Sequence, residues 1–113
     1  MAFVLQDRVK ENVNVSGTGP IQMGGAVAGF LSFFGPPPSG SNMQVGDTTW
    51  CAVVDNIAGQ WQVGLAEAVA GNQLEFLMIY SSSNSGNPVS FGGHACDVFM
   101  DLPASQVGSG GCL

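Results

Sequence analysis

The residues best placed to do chemistry, by type and spacing, are His94, Cys96 and Asp97 near the end of the chain. Histidine and cysteine ligate soft metals, and a cysteine beside a histidine can become a thiolate nucleophile. The spacing argues against both. A single H-x-C-D run supplies at most half of a tetrahedral donor set, no CxxC stands elsewhere, and neighbouring strand residues point to opposite faces. His94 therefore reads as a turn histidine ahead of a strand, with no metal site. Cys51 is the other thiol that His94 could activate, but it and Cys96 read as small buried hydrophobes, with Cys112 on a loose tail. Three widely spaced cysteines do not make a disulfide framework.

Other catalytic patterns fail in the same way. There are many serines but no G-x-S-x-G. The only lysine, Lys10, does not follow a Gly-rich loop, and Gly17-Thr18-Gly19 runs into Pro20 and a strand, so neither a P-loop nor a dinucleotide fingerprint is present. Asp47, Asp55, Glu67, Glu75, Asp97 and Asp101 could in principle meet as paired carboxylates, but a 113-residue chain rarely carries a groove deep enough for glycoside cleavage. Trp50 and Trp61 could stack on sugar rings, yet both lie in strand-like segments with apolar neighbours and read as core. The expectation is a protein without enzymatic activity and without a cofactor.

Charge narrows the partners. The net charge is −6, both cations (Arg8 and Lys10) stand near the N-terminus, and no Lys or Arg follows Glu11. A phosphate-binding face has nothing to be built from, so nucleic acid is not an expected partner. With only 9% charged residues, much of the surface is left to uncharged groups, which suits a subunit that packs against copies or partners. The apolar start MAFVL has no basic residue before it, and no apolar stretch approaches the ~20 residues of a membrane span. A product made in the cytoplasm, with no membrane association, is expected.

The elements that must position these residues are strands. Seventeen glycines, six prolines and 45% hydrophobic residues indicate short strands joined by tight turns. The fold class expected is all-β, a single antiparallel β-sandwich or small barrel of about seven or eight short strands. Val9, Val13 and Val15 alternate with polar residues, with Glu11 as the discordant member of the inner row. Ile21 to Met23 and Ala26 to Phe34 follow, the latter giving Val27, Phe30, Phe33 and Phe34 to the core. Gly35 to Gly46 reads as an inserted, exposed Pro/Ser/Gly loop. Thr48 to Val54, Gln60 to Val69 and Leu74 to Tyr80 form a meander. Trp61, Val63 and Leu65 are placed inward, Gln60, Gln62 and Gly64 outward, and Leu74 to Tyr80 reads as the central strand, buried on both faces. A polar loop spans Ser81 to Asn87, and the last strand covers Asp97 to Leu102. The domain is expected to occupy residues 1–104, and residues 105–113 to form a flexible tail.

Read as a whole, the chain carries a series of short motifs in order. They are Arg8-Val9-Lys10-Glu11, Ser16-Gly17-Thr18-Gly19, Gly25-Ala26-Val27-Ala28-Gly29-Phe30 with Ser32-Phe33, Trp61-Gln62-Val63-Gly64, Leu74, Ser81-Ser82-Ser83-Asn84-Ser85-Gly86, Val89 with Phe91, and Asp97-Val98-Phe99 before Pro103-Ala104. This series resembles a small phage virion structural protein family, whose members occur as standalone structural proteins and at the N-terminal ends of tail fibres. The likeness spans residues 8–104. It departs from the family at Glu75-Phe76, where relatives carry a polar and basic pair, and at Gly35 to Gly46, where their connection is shorter.

The resemblance implies a non-enzymatic virion component, most naturally a capsid decoration or cement protein on the head exterior, with the major capsid protein and copies of itself as partners. A trimer would suit local threefold points. A tail-fibre or tail-adaptor subunit, bound to tail proteins, is the first alternative, and a carbohydrate-binding module for the host surface is the second. The contacts expected to hold the partner are Arg8 and Lys10, Pro36, Pro37 and Pro38 in the inserted loop, and Asn84 in the polar loop. The protein would be made in the host cytoplasm and reside in the virion.

Overall fold

Thr48–Asp55, a β-prone run of threonine, tryptophan and valine, forms the strand at the centre of a single sheet. A computed structural model describes residues 2–101 of the protein. Among them the strands are β1 (Lys10–Gly17), β2 (Ile21–Gln22), β3 (Thr48–Asp55), β4 (Gln60–Val69), β5 (Gln73–Ser82) and β6 (Phe91–Met100), and there is no helix. All pair antiparallel in the order β1-β6-β3-β4-β5-β2. Because β2 returns beside β1, the sheet rolls into a nearly closed barrel. The fold is all-β, as expected. The tail expected over 105–113, together with Leu102, Pro103, Ala104 and Cys112, lies outside the described residues.

The interior is lined by Val9, Val15, Ile21, Phe33, Cys51, Val53, Leu74, Phe91, Cys96 and Val98, all buried. Alternation on β3 sends Thr49, Cys51, Val53 and Asp55 inward, while Trp50 and Val54 take the outer face. Ala52 is also buried, since the strand has neighbours on both sides and Phe99 stands opposite it on β6.

Four expectations are corrected. First, β5 is not the central strand. It pairs along its length with β4 alone, and β2 reaches it only at Gln73 and Leu74. Leu77 and Met78 are 54% and 50% exposed. Two register shifts against β4 leave Leu77 and Tyr80 as extra residues, and each bulge turns the strand away from two-sided burial.

Second, the faces of β4 are reversed. Gln62, Gly64, Ala66 and Ala68 are buried, whereas Trp61, Val63 and Leu65 face outward. Space decides this: a Cβ on Gly64 would run into the Met78 carbonyl oxygen, so the crowded side takes the small residues. The one polar member, Gln62, is satisfied by accepting the Val89 N–H at 3.0 Å.

Third, of the aromatics assigned to the core over Ala26 to Phe34, only Phe33 is fully buried; Phe30 is exposed. The segment makes isolated bridges, Glu11 to Ala26 and Val9 to Leu31, that cover the outer edge of β1.

Fourth, the stretch from Gly35 to Gly46 is not wholly exposed. Pro36, Pro37 and Pro38 are at the surface. The chain then folds back along residues 32–33, with the Ser41 N–H on the Ser32 carbonyl (2.9 Å) and the Met43 N–H on the Phe33 carbonyl (3.0 Å), and Met43 is buried.

Candidate functional site

The corner that holds both cations is built from β1 outward. Glu11 projects into the barrel wall, 1% exposed, and its Oε1 accepts the N–H groups of Gly24 (2.8 Å) and Gly25 (2.6 Å) while Oε2 accepts that of Phe33 (2.9 Å). This clamp fixes residues 24–33 against β1. The same segment then exchanges backbone bonds with the strand: the Lys10 N–H meets the Leu31 carbonyl (3.0 Å), the Leu31 N–H the Arg8 carbonyl (2.6 Å), and the Val27 N–H the Lys10 carbonyl (3.0 Å).

The result presents Phe30 between the two cations. The Arg8 guanidinium carbon lies 5.5 Å and the Lys10 ammonium 5.3 Å from the centroid of its ring, both within cation–π range. Arg8 Nη2 also donates to the Gly29 carbonyl. Lys10 stands 3.9 Å from Asp97, while no ion pair to Arg8 occurs among the described residues. A cleft of about 260 Å³ opens here, lined by Arg8, Val9, Lys10, Phe30, Phe99 and Met100. Chemically, the corner offers a point charge, a planar guanidinium and two aromatic rings, a set suited to carboxylate and aromatic groups of a protein surface.

The other expected contact residues are not brought to this corner by any described contact. Pro36, Pro37 and Pro38 are exposed on the returning loop. Asn84 is committed to a turn organised by buried Ser82. The Ser82 hydroxyl donates to the Asn87 carbonyl (2.6 Å) and accepts the N–H groups of Asn84 (3.2 Å) and Gly86 (3.1 Å), and Asn84 Nδ2 donates to the Pro88 carbonyl (3.1 Å).

His94, expected in a turn, lies inside β6 and faces Asp55 at the end of β3, with Nδ1 2.8 Å from Oδ2. Asp55 also caps the β3–β4 turn, accepting the Ala58 N–H at 3.0 Å and the Ile57 N–H at 2.9 Å. These bonds, first from Ala58 and then from His94, hold its carboxyl below the ordinary aspartate pKa against the opposing effect of burial. Cys96 shares the inward row with His94 but its thiol is pushed up to about 11 by burial and by the charges of Asp55 and Asp97, so it is not a thiolate at neutral pH. Burial raises Cys51 as well. Asp97 turns the other way, toward Asn12 Nδ2 (3.0 Å) and Asn56 Nδ2 (3.3 Å). Among the described residues no three His, Cys, Asp or Glu side chains converge as a metal cluster would require. Of the carboxylates weighed as a pair, Glu67 and Glu75 stand directly opposite one another on β4 and β5.

The two tryptophans part company. Trp50 packs edge-on between Phe3 (5.5 Å) and Tyr80 (5.1 Å) on the outer face of the barrel, whereas Trp61 is 37% exposed. Neither lies in the interior. The residues that sequence reasoning missed are Glu11 as a clamp and Asp55 as a turn cap. Both left a signal: a carboxylate in an otherwise apolar inner row, and an aspartate immediately before a turn. No protein-family model, no curated protein and no solved structure matches the chain.

Proposed function

We propose that the protein is a non-enzymatic phage virion component, a decoration protein that binds the exterior of the capsid through the Arg8–Phe30–Lys10 corner. The observation that carries this reading is the concentration of all positive charge on that corner, braced by a ring and set on a barrel of net charge −6. Such a domain is repelled by an acidic surface everywhere except at one place. The corner therefore selects both orientation and partner when the domain meets an acidic patch on the major capsid protein. On a repeating lattice each contact needs only modest strength. The motif series from Arg8 to Ala104 supplies the phage context. Tail attachment uses the same corner and differs in copy number per particle, high for a head protein and low for a tail subunit.

Charge reversal tests the reading. With Arg8→Glu and Lys10→Glu together, the protein is expected to stay folded and to be lost from purified particles. Unchanged incorporation would contradict the assignment of the corner. A second reading, sugar stacking on the host surface, rests on the exposure of Trp61. Host glycans that quench its fluorescence would favour it, and silence toward all of them would remove its support.

A further inference from the structure

The two cations of the corner differ in how far the protein itself occupies them. Lys10 is partly neutralised, with Asp97 at 3.9 Å. Arg8 is held in a left-handed backbone conformation (φ 66°) that residues other than glycine rarely adopt, and the Leu31 N–H on its carbonyl (2.6 Å) fixes it there. Its guanidinium lies against Phe30 and gives one donor to the Gly29 carbonyl, while the rest of the planar fork has no acceptor among the described residues. The cleft of about 260 Å³ into which both cations open is otherwise walled by Val9, Phe30, Phe99 and Met100, whose side chains offer no hydrogen-bond donor. A fork with free donors, carried on a strained backbone and set over apolar walls, is a receiving site for an anion with an apolar stem.

We infer that this cleft seats a single glutamate side chain of the partner protein, its carboxylate on the Arg8 fork and its methylenes against Phe30, Phe99 and Met100. Charge, donor geometry and size select this occupant. Arg8 and Lys10 with Asp97 beside them leave the corner one positive charge in excess, on a chain of net charge −6, which accommodates one negative charge and disfavours a phosphate dianion. A phosphate also asks for donors around three oxygens, and the apolar walls supply none, whereas the two coplanar oxygens of a carboxylate match the guanidinium fork. The cleft is smaller than the ~300 Å³ at which pockets for drug-sized ligands begin, so it holds one side chain of a docked protein in preference to a free molecule of that size. The walls favour glutamate over aspartate, whose shorter stem leaves them facing water.

The inference deepens the proposed docking corner and rests on that reading for the identity of the partner as a protein. Its test uses the full chain and no phage. The end-capped tripeptide Leu-Glu-Leu, added at millimolar concentration, is expected to shift the NMR signals of the Arg8 Nε–H and of the Phe30 ring. Leu-Gln-Leu, with the same stem and no charge, is expected to bind about tenfold more weakly or not at all. A phosphoserine in the central position is expected to bind no tighter than glutamate. Arg8→Lys keeps the charge, removes the fork and sits at an exposed position, so it is expected to leave the far-UV circular dichroism unchanged and to lose the response of the Phe30 ring. No shift at Arg8, equal binding of the glutamine peptide, tighter binding of the phosphopeptide, or an undiminished response in Arg8→Lys would each overturn the inference. Peptide binding combined with unchanged incorporation of the charge-reversed protein into particles would instead sink the capsid reading and leave the carboxylate site standing.

Discussion

The Glu11 carboxylate accepts the Phe33 N–H at 2.9 Å across the wall of the barrel, tying the strand that carries Lys10 to a fully buried aromatic side chain. With Gly24 and Gly25 also bound, one side chain satisfies three backbone donors and sets the position of Phe30 beneath the two cations. Removing it leaves the Phe33 N–H buried without a partner. Glu11→Ala is expected to lower stability by about 3 kcal/mol or more, read as a shift in the urea unfolding midpoint. Stability within error of the parent would show that the clamp contributes nothing.

Packing at Gly64 gives a second prediction. A Cβ there would collide with the Met78 carbonyl, a backbone atom that cannot move without disturbing the β4–β5 ladder. Gly64→Ala is expected to cost about 1–3 kcal/mol. Gly19→Ala serves as the control, because nothing lies within 4 Å of the added methyl. Thermal melting of the two variants compares them directly, and equal melting temperatures would contradict the packing argument.

How far the sequence disclosed the structure depends on the strand. β1 was legible because valines alternate with polar residues and period two fixes its inner row. β4 was misread because Trp61, Val63 and Leu65 outweigh glycine and alanine in any hydrophobic count, while the limit that sets its facing is steric and belongs to β5. β5 was misread for a related reason: apolar residues on both faces suit either a central strand or an unpartnered edge, and bulges at Leu77 and Tyr80 leave no trace in composition. The candidate corner was legible as charge, since Arg8 and Lys10 stand close together in the chain. Its third member, Phe30, comes from twenty residues or more downstream and was assigned to the core.

Acid should loosen the fold at two aspartates. The Asp55 carboxyl is lowered by the N–H of Ala58 and by His94, and that of Asp47 by the N–H groups of Gln44 and Ala2. A group whose folded pKa lies below its unfolded value stabilises the protein above the unfolded value, near 3.9 for aspartate, and loses that contribution as pH falls through the folded one. Stability is therefore expected to fall from about pH 4 downward, with a shallower fall in Asp55→Asn. Denaturant midpoints across that range provide the check, and an identical acid slope in the variant would count against Asp55.

The two cysteines among the described residues supply a chemical test of whether either is activated. Cys51 and Cys96 are buried, with both thiols raised and that of Cys96 at about 11. In the native protein at neutral pH both should resist iodoacetamide and react fully once the chain is unfolded in urea, as mass spectrometry of the peptides would show. Rapid native labelling of Cys96 would instead mark a thiolate and reopen a Cys–His–Asp chemistry with His94 and Asp55.

Gold-labelled antibody on purified phage particles, or density fitted in a reconstruction of the virion, reads the location of the protein directly. Regular copies over the head, with the Arg8–Phe30–Lys10 corner facing the capsid, are the expected result. Labelling confined to the tail would replace decoration with a tail subunit, and absence from the particle would contradict the virion assignment outright.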